Sequence, residues 1–254
     1  MPDISIGTES IYVHVSESAS EKTLLLIHGS GGDHTHWPQN LLSETRIRVA
    51  AIDLPGHGKS GGSGRTSVED YADVSEAVVA RCGWTAVTVA GHSLGGAIAL
   101  TIGLRGPRWL DGLVLVGTGA RLRVAPAILE GLATNPDPLF STMDAWAFGP
   151  NADRALRERF VQQMKAAGAP VVLGDFSACD RFDMMPHLSR ITCRTLVVSA
   201  ENDLLTPLKY GQYLQQTLPD ARLEVIPGAG HMMGLEQPEI FGKAILRFMG
   251  LEAG

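Results

Sequence analysis

The chain has 254 residues, of which 44% are hydrophobic and 19% charged, the balance of an ordinary globular protein and enough chain to bury most of its apolar surface in one core. Its formal net charge is −6 and no block of like charge stands out, so neither nucleic acid nor an anionic membrane surface is an expected partner. No apolar run approaches the ~20 residues that span a bilayer.

The opening "MPDISIGTESIYVHV" has no basic region followed by an apolar one, so no signal peptide is expected. The three cysteines, Cys82, Cys179 and Cys193, fit neither a zinc pattern nor a disulfide framework, and a reducing cytoplasm is the natural compartment. In chain order, "ESIYVHVSE" (9–17) alternates apolar and polar residues and predicts an antiparallel edge strand. Six runs follow that are rich in Val, Ile and Leu without alternation: 23–29, 47–56, 85–93, 113–119, 195–203 and 222–231. Such runs suit strands buried on both faces of a parallel sheet. Between them lie helical patterns. "SVEDYADVSEAVVARCG" (67–83) opens on a Ser N-cap and ends on Gly, and "SLGGAIALTIGLRG" (93–106) is apolar nearly all round, as a buried helix is. "TPLKYGQYLQQTLP" (206–219) and "PEIFGKAILRFMG" (238–250) each carry Pro near the first turn. Strand and helix in alternation predict an α/β fold with a doubly wound, mostly parallel sheet. Residues 120–188 break the rhythm with helix-like pieces and no strong strand, which predicts a helical cap inserted over the sheet's edge. The core is then residues 1–119 and 189–254.

The chemistry centres on "VTVAGHSLGGAIAL". A buried strand turns into an apolar helix through Gly91-His92-Ser93-Leu94-Gly95. A single residue at such a turn is forced into a strained backbone, and its neighbours two positions away must be small. Ser93 is thereby held exposed at a helix N-terminus, where the dipole favours developing negative charge. A serine nucleophile needs a base, and the base an orienting acid. Of the eight histidines, His231 fits best, in the flexible loop "GAGH" after a strand. His92 is expected to point the other way out of the turn, His57 to be structural, His14 to alternate on the edge strand and His187 to face solvent. For the acid, Asp203 follows a buried strand and precedes a Pro-initiated helix, whose N-cap it would otherwise be. Glu201 is the nearby alternative; Asp53 suits loop bracing, and Asp111 lies at the wrong end of the sheet.

"HGSGGDHTHW" (28–37) also carries Asp33, His34 and His36, but no second cluster at metal-ligand spacing completes a set, so no metal is expected. "GHGKS" lacks the spacing of a phosphate loop. His28 suits bracing of the glycine bend, and His34 and His36 suit a short helix at a pocket mouth.

Together "HGSGG" after the third strand, "DLPGHGKS" after the fourth, "GHSLGG", "ENDLLTP" and "GAGH" resemble the α/β-hydrolase fold superfamily, over about residues 23 to 249. The resemblance implies a Ser93–Asp203–His231 triad and an oxyanion hole made by the backbone N–H groups of Leu94 and Ser30. It also implies attack of Ser93 on a carbonyl, an acyl-enzyme, and release by water. A carboxylesterase acting on a small or medium acyl ester is therefore expected, with no cofactor, as a monomer or a homodimer. Trp146, Phe140, Met143, Phe182 and Met232 are the expected apolar contacts for substrate. C–C bond hydrolysis, lactonase or perhydrolase chemistry would use the same triad, and a ligand-binding receptor would need none of it. Ser rather than Asp at position 93 argues against the epoxide hydrolases and haloalkane dehalogenases of this fold.

Overall fold

The structure, a computed structural model, describes residues 3–251. Eight strands form one sheet in the order β1 (Asp3–Ile6), β2 (Glu9–Val15), β4 (Arg48–Ile52), β3 (Lys22–Ile27), β5 (Ala86–His92), β6 (Leu110–Val116), β7 (Thr195–Ala200), β8 (Ala221–Ile226). The β1–β2 and β2–β4 pairs are antiparallel and the rest parallel. The strand at 9–15 is thus antiparallel but is not the edge: β1 lies outside it, joined through a two-residue hairpin loop in which Gly7 takes a positive φ of 57°. Four residues of "DISI" are too short a run to stand out ahead of the structure.

The unbroken apolar runs have the expected physical cause. In β3, Leu25 and Ile27 face one core with Tyr71, Val78, Leu94 and Ile98. Leu24 and Leu26 face a second core with Trp37, Leu41, Phe241 and Ile245. Alternate side chains leave opposite faces of a strand, and both faces here are covered. Ser67 caps the helix Val68–Cys82 by accepting from the Asp70 N–H at 3.2 Å, and Gly83 ends it in the left-handed region at φ 66°. The helix Leu94–Arg105 is buried from Leu94 to Gly103, which is why it has no polar face.

Between β6 and β7 the chain forms helices Pro126–Thr134, Pro136–Phe140, Asp144–Ala147, Arg154–Ala167 and Ala169–Arg181, then a 3-10 turn at Met185–Arg190. These strands are neighbours inside the sheet, and the helices lie over the carboxyl ends of the strands rather than over an edge. They share a small core of their own, including Leu132, Phe140, Met143, Phe148, Phe160, Met164 and Val172, completed by Met232. The last helix has no clear amphipathic signature in sequence. It begins with Pro170 in its first turn, and a Cβ on Gly174 would come within 2.7 Å of the Arg65 carbonyl oxygen, so glycine lets it approach the backbone beneath. The cysteines are unpaired, and no helix among the described residues is long and apolar enough to cross a membrane.

Candidate active site

β5 ends at His92 and the next residue, Ser93, has φ 55° and ψ −114°, the only positive φ at a non-glycine among the described residues. Such a backbone costs about 1–3 kcal/mol and persists only where its surroundings over-determine it. A Cβ on Gly91 would collide with the Gly95 carbonyl, one on Gly95 with the Ile27 carbonyl, and one on Gly96 with Thr118. Hydrogen bonds then lock the turn: Ser93 N–H donates to Val116 O at 2.9 Å, and Thr118 Oγ1 donates to Ser93 O at 2.9 Å.

Loops after β7 and β8 bring Asp203 and His231 to the same place. His231 Nδ1 and Asp203 Oδ2 are 2.9 Å apart. Asp203 Oδ1 accepts from the Leu205 and Thr206 N–H groups at 2.9 and 2.8 Å, and Oδ2 from Thr206 Oγ1 at 2.7 Å. The following helix starts only at Leu208 with Pro207 before it, so Asp203 braces a turn instead of capping that helix. Burial works to raise the Asp203 pKa, but His231 and the Thr206 donors outweigh it and hold the carboxyl below the usual range. An ionised acceptor fixes the proton on His231 Nδ1 and leaves Nε2 as a base. Ser93 and His231 line one cavity without a hydrogen bond between them, a contact that commonly tightens only when substrate is bound. Of the rival acids, Glu201 accepts from Gly228 N–H, Asp111 pairs with Arg194, and Asp53 is buried against the His34 and Lys59 backbone.

His92 departs from expectation. It is buried and lines the cavity, its ring centroid 4.6 Å from that of His231, and its Nε2 lies 3.0 Å from His231 O. A carbonyl only accepts, so His92 carries its proton on Nε2; burial and the neighbouring His231 keep the ring neutral. It pins the backbone of the residue that its sequence position gave no reason to touch.

The glycine loop after β3 lies opposite. Gly29 O accepts from Gly32 N–H at 3.1 Å and from His28 Nδ1 at 2.8 Å, while His28 Nε2 accepts from Leu54 N–H at 3.0 Å. Those partners define the tautomer, and burial together with His57 lowers the His28 pKa to about 4. With the Gly29 oxygen pinned on one side, the trans peptide turns the Ser30 N–H to the other. Leu94 is the first helical residue, so its N–H has no partner within the helix. Among the described residues neither amide has an intramolecular acceptor. The pair can receive a developing oxyanion beside Ser93.

The cavity has a volume of about 140 Å³ and is largely apolar. Met143, Trp146 and Met232 line it. Phe140 and Phe182 do not: Phe140 packs within the helical segment's own core and Phe182 against the core of the sheet, so neither is a substrate contact. Phe160, Met164, Phe176, Tyr210 and His36 line the cavity instead. Phe160 lies on an amphipathic helix whose inward face the sequence did not orient. His187 is half-buried outside the cavity. Two loops of the site are stitched together by Glu236, which accepts from the Gly149 and Gly230 N–H groups, each at 2.9 Å.

The fold also gathers Asp33, His34 and Asp53, whose ligand atoms lie within 4.8 Å of one another. Their oxygens are already engaged: Asp53 Oδ1 with the His34 backbone and ring, and Asp33 Oδ1 with Thr35. The set the fold gathers is not the one read in the sequence: Asp53, bonded to the His34 and Lys59 backbone, stands in place of His36.

A strained serine turn at the carboxyl end of a mostly parallel sheet, opening into a cavity with a His–Asp pair and two open amides, defines a class of nucleophile-elbow proteins. The chain belongs to the alpha/beta hydrolase family, whose model matches residues 24–244. It is 30% identical to a putative carbamate hydrolase RutD of Caulobacter sp. (strain K31), covering 95% of each chain. It is 25% identical to a 2-hydroxy-6-oxononadienedioate/2-hydroxy-6-oxononatrienedioate hydrolase of Pseudomonas sp, over 97% of this chain and 95% of that one. Among solved structures, a thermophilic esterase superposes with a TM-score of 0.85 at 37% identity, over 98% of this chain and 96% of that one.

Proposed function

We propose that the protein is a serine hydrolase that cleaves carboxylic esters of small or medium acyl groups. The observation that carries this reading is Ser93 in its strained turn, opening into the same apolar cavity as a His231 whose Nδ1 is held by Asp203. His231 Nε2 takes the hydroxyl proton as Ser93 Oγ attacks the ester carbonyl. The Ser30 and Leu94 amides receive the oxyanion, and Asp203 stabilises the imidazolium. Collapse expels the alcohol, which takes the proton from His231, and leaves an acyl-Ser93. Water then attacks, giving its proton to His231, and the acid departs as Ser93 Oγ regains a proton. One oxyanion donor contributes about 3–4 kcal/mol to such a barrier. A cavity near 140 Å³ is of the size that holds a benzene ring, which favours short acyl chains. The esterase neighbour at 37% identity supports the ester reading. The relatives named as a putative carbamate hydrolase and as a 2-hydroxy-6-oxononadienedioate/2-hydroxy-6-oxononatrienedioate hydrolase keep carbamates and 2-hydroxy-6-oxo dioates in view as substrates, and C–C bond hydrolysis of vinylogous diketones would use the same three residues.

The test is a panel of p-nitrophenyl esters, thioesters, lactones, carbamates and vinylogous diketones, assayed with wild type and Ser93→Ala. Turnover of short esters that vanishes in a folded Ser93→Ala is expected. Equal turnover by that variant overturns the mechanism, and turnover of diketones alone overturns the ester assignment.

A further inference from the structure

We propose that Asp175, on the helix Ala169–Arg181, is a positioning residue of the oxyanion pocket, fixing the Gly31 peptide and through it the adjoining Ser30 amide. The proposal rests on the reading of Ser30 as an oxyanion donor.

Asp175 is fully buried, and three donors from three separate stretches converge on its carboxylate. Oδ2 accepts from Gly31 N–H at 2.8 Å and lies 2.9 Å from His57 Nε2. Oδ1 accepts from Tyr71 OH at 2.5 Å. Tyr71 OH in turn accepts from Arg65 N–H at 2.8 Å. His57 Nδ1 lies 3.0 Å from Pro55 O; a carbonyl and a carboxylate both accept, so both ring nitrogens carry protons and the ring is a cation. The result is a closed, fully desolvated ion pair directly behind the glycine loop.

Such a pair is a poor way to gain stability, because desolvation consumes most of the Coulombic attraction and an apolar set of the same shape does as well. What the carboxylate does that a leucine cannot is accept the Gly31 N–H. Gly31 has φ +64°, a conformation in which the loop has no side chain of its own to hold it. The Gly29–Ser30 peptide is pinned through its oxygen by His28 and Gly32. The next peptide, Ser30–Gly31, is pinned through its N–H by Asp175. Ser30 is clamped on both sides, and its amide direction follows from both clamps. Misplacing a catalytic group by about 1 Å can cost 10²-fold in rate.

The experiment measures kcat per titrated active site, KM, melting temperature and affinity for an alkyl boronic acid that adds to Ser93 and places an oxygen in the oxyanion pocket. Asp175→Ala is expected to lower kcat about 10- to 100-fold and boronate affinity about 10-fold, with KM changed less than about threefold. Asp175→Asn is expected to restore kcat to within about threefold, since its carbonyl can still accept Gly31 N–H while its amide turns to the Tyr71 oxygen. Tyr71→Phe keeps the Gly31 contact and is expected to hold kcat per site near wild type even if it melts earlier. Should Asp175→Ala fail to fold, Asp175→Ser takes its place with the same expectation. A purely structural role would lower melting temperature while leaving kcat per site and boronate affinity intact; that result overturns the proposal. So does a Tyr71→Phe loss of kcat as deep as that of Asp175→Ala. Wild type without esterase activity or boronate binding would instead sink the proposed function, so the two failures are distinguishable.

Discussion

Two buried His–Asp pairs lie on either side of Ser93, and each has a nitrogen-to-oxygen separation of 2.9 Å. In the His231–Asp203 pair, only Nδ1 is engaged, and the residue opens into the cavity. In the His57–Asp175 pair both ring nitrogens are occupied, by Asp175 and by Pro55 O, and the residues sit behind the glycine loop. The same two side chains at the same distance thus have opposite uses. A ring with one nitrogen left over can move a proton, whereas a ring with none is a fixed charged strut. The partner of the second nitrogen, not the presence of a carboxylate, decides which.

The sharpest way to break that comparison is to make the same change in both pairs. Asp203→Asn is expected to lower kcat about 10⁴-fold with the fold intact, because the amide favours the wrong His231 tautomer. Asp175→Asn is expected to stay within about threefold. Equal losses in steady-state assays would erase the distinction. Next in size, Gly91→Ala places a methyl against the Gly95 carbonyl and is expected to destabilise by on the order of 3 kcal/mol or more, read as a fall in the urea midpoint. Trp146→Ala enlarges the cavity wall and is expected to raise the kcat/KM ratio of octanoyl to acetyl esters about tenfold, by removing a steric limit within the 10- to 200-fold range of a methylene or more.

The smallest effect separates histidines by the sign of their pH dependence. His28 falls from 6.5 to about 4, so the unfolded chain takes up a proton that the folded one refuses, and stability drops as pH falls from 6.5 towards 4. His57 is raised: burial opposes its charge, but Asp175 outweighs burial. Its contribution is complete below about 6.5 and is lost as pH climbs through the raised value. Urea midpoints measured across pH are therefore expected to fall on both sides of a maximum, and His57→Gln is expected to flatten the alkaline limb alone. An unchanged alkaline limb in that variant would place the charge elsewhere.

The parallel sheet, the strained turn and the meeting of Ser93, Asp203 and His231 at one cavity could be read ahead of the structure for a common reason. Each follows directly on a buried strand, so a local pattern gives its place, and sheet order does the rest. The strut could not be read that way. Asp175 sits 144 residues from Gly31 in sequence, on a helix without a clear periodic signature, and nothing local marks it as an acceptor for a distant amide. Phe140 and Phe182 were misplaced for a related reason, while Trp146 does line the cavity. Composition says that Phe140, Phe160, Phe176 and Phe182 are buried somewhere, but only the packing of the helices says that Phe160 and Phe176 face the cavity. His92 was obscured by its own turn, since the strained backbone at Ser93 redirects the side chains on either side of it.

The helical segment also supplies contacts to two loops of the candidate site: Asp175 holds Gly31, and Ala147 O accepts from Met232 N–H at 2.9 Å beside His231. Segments of this kind invite exchange between relatives when a new specificity is wanted. A chimera carrying a foreign stretch in place of residues 126–190 would take away both anchors along with the cavity wall. Its designer would therefore have to transplant an acceptor for the Gly31 amide and one for the Met232 amide before choosing any residue that touches substrate.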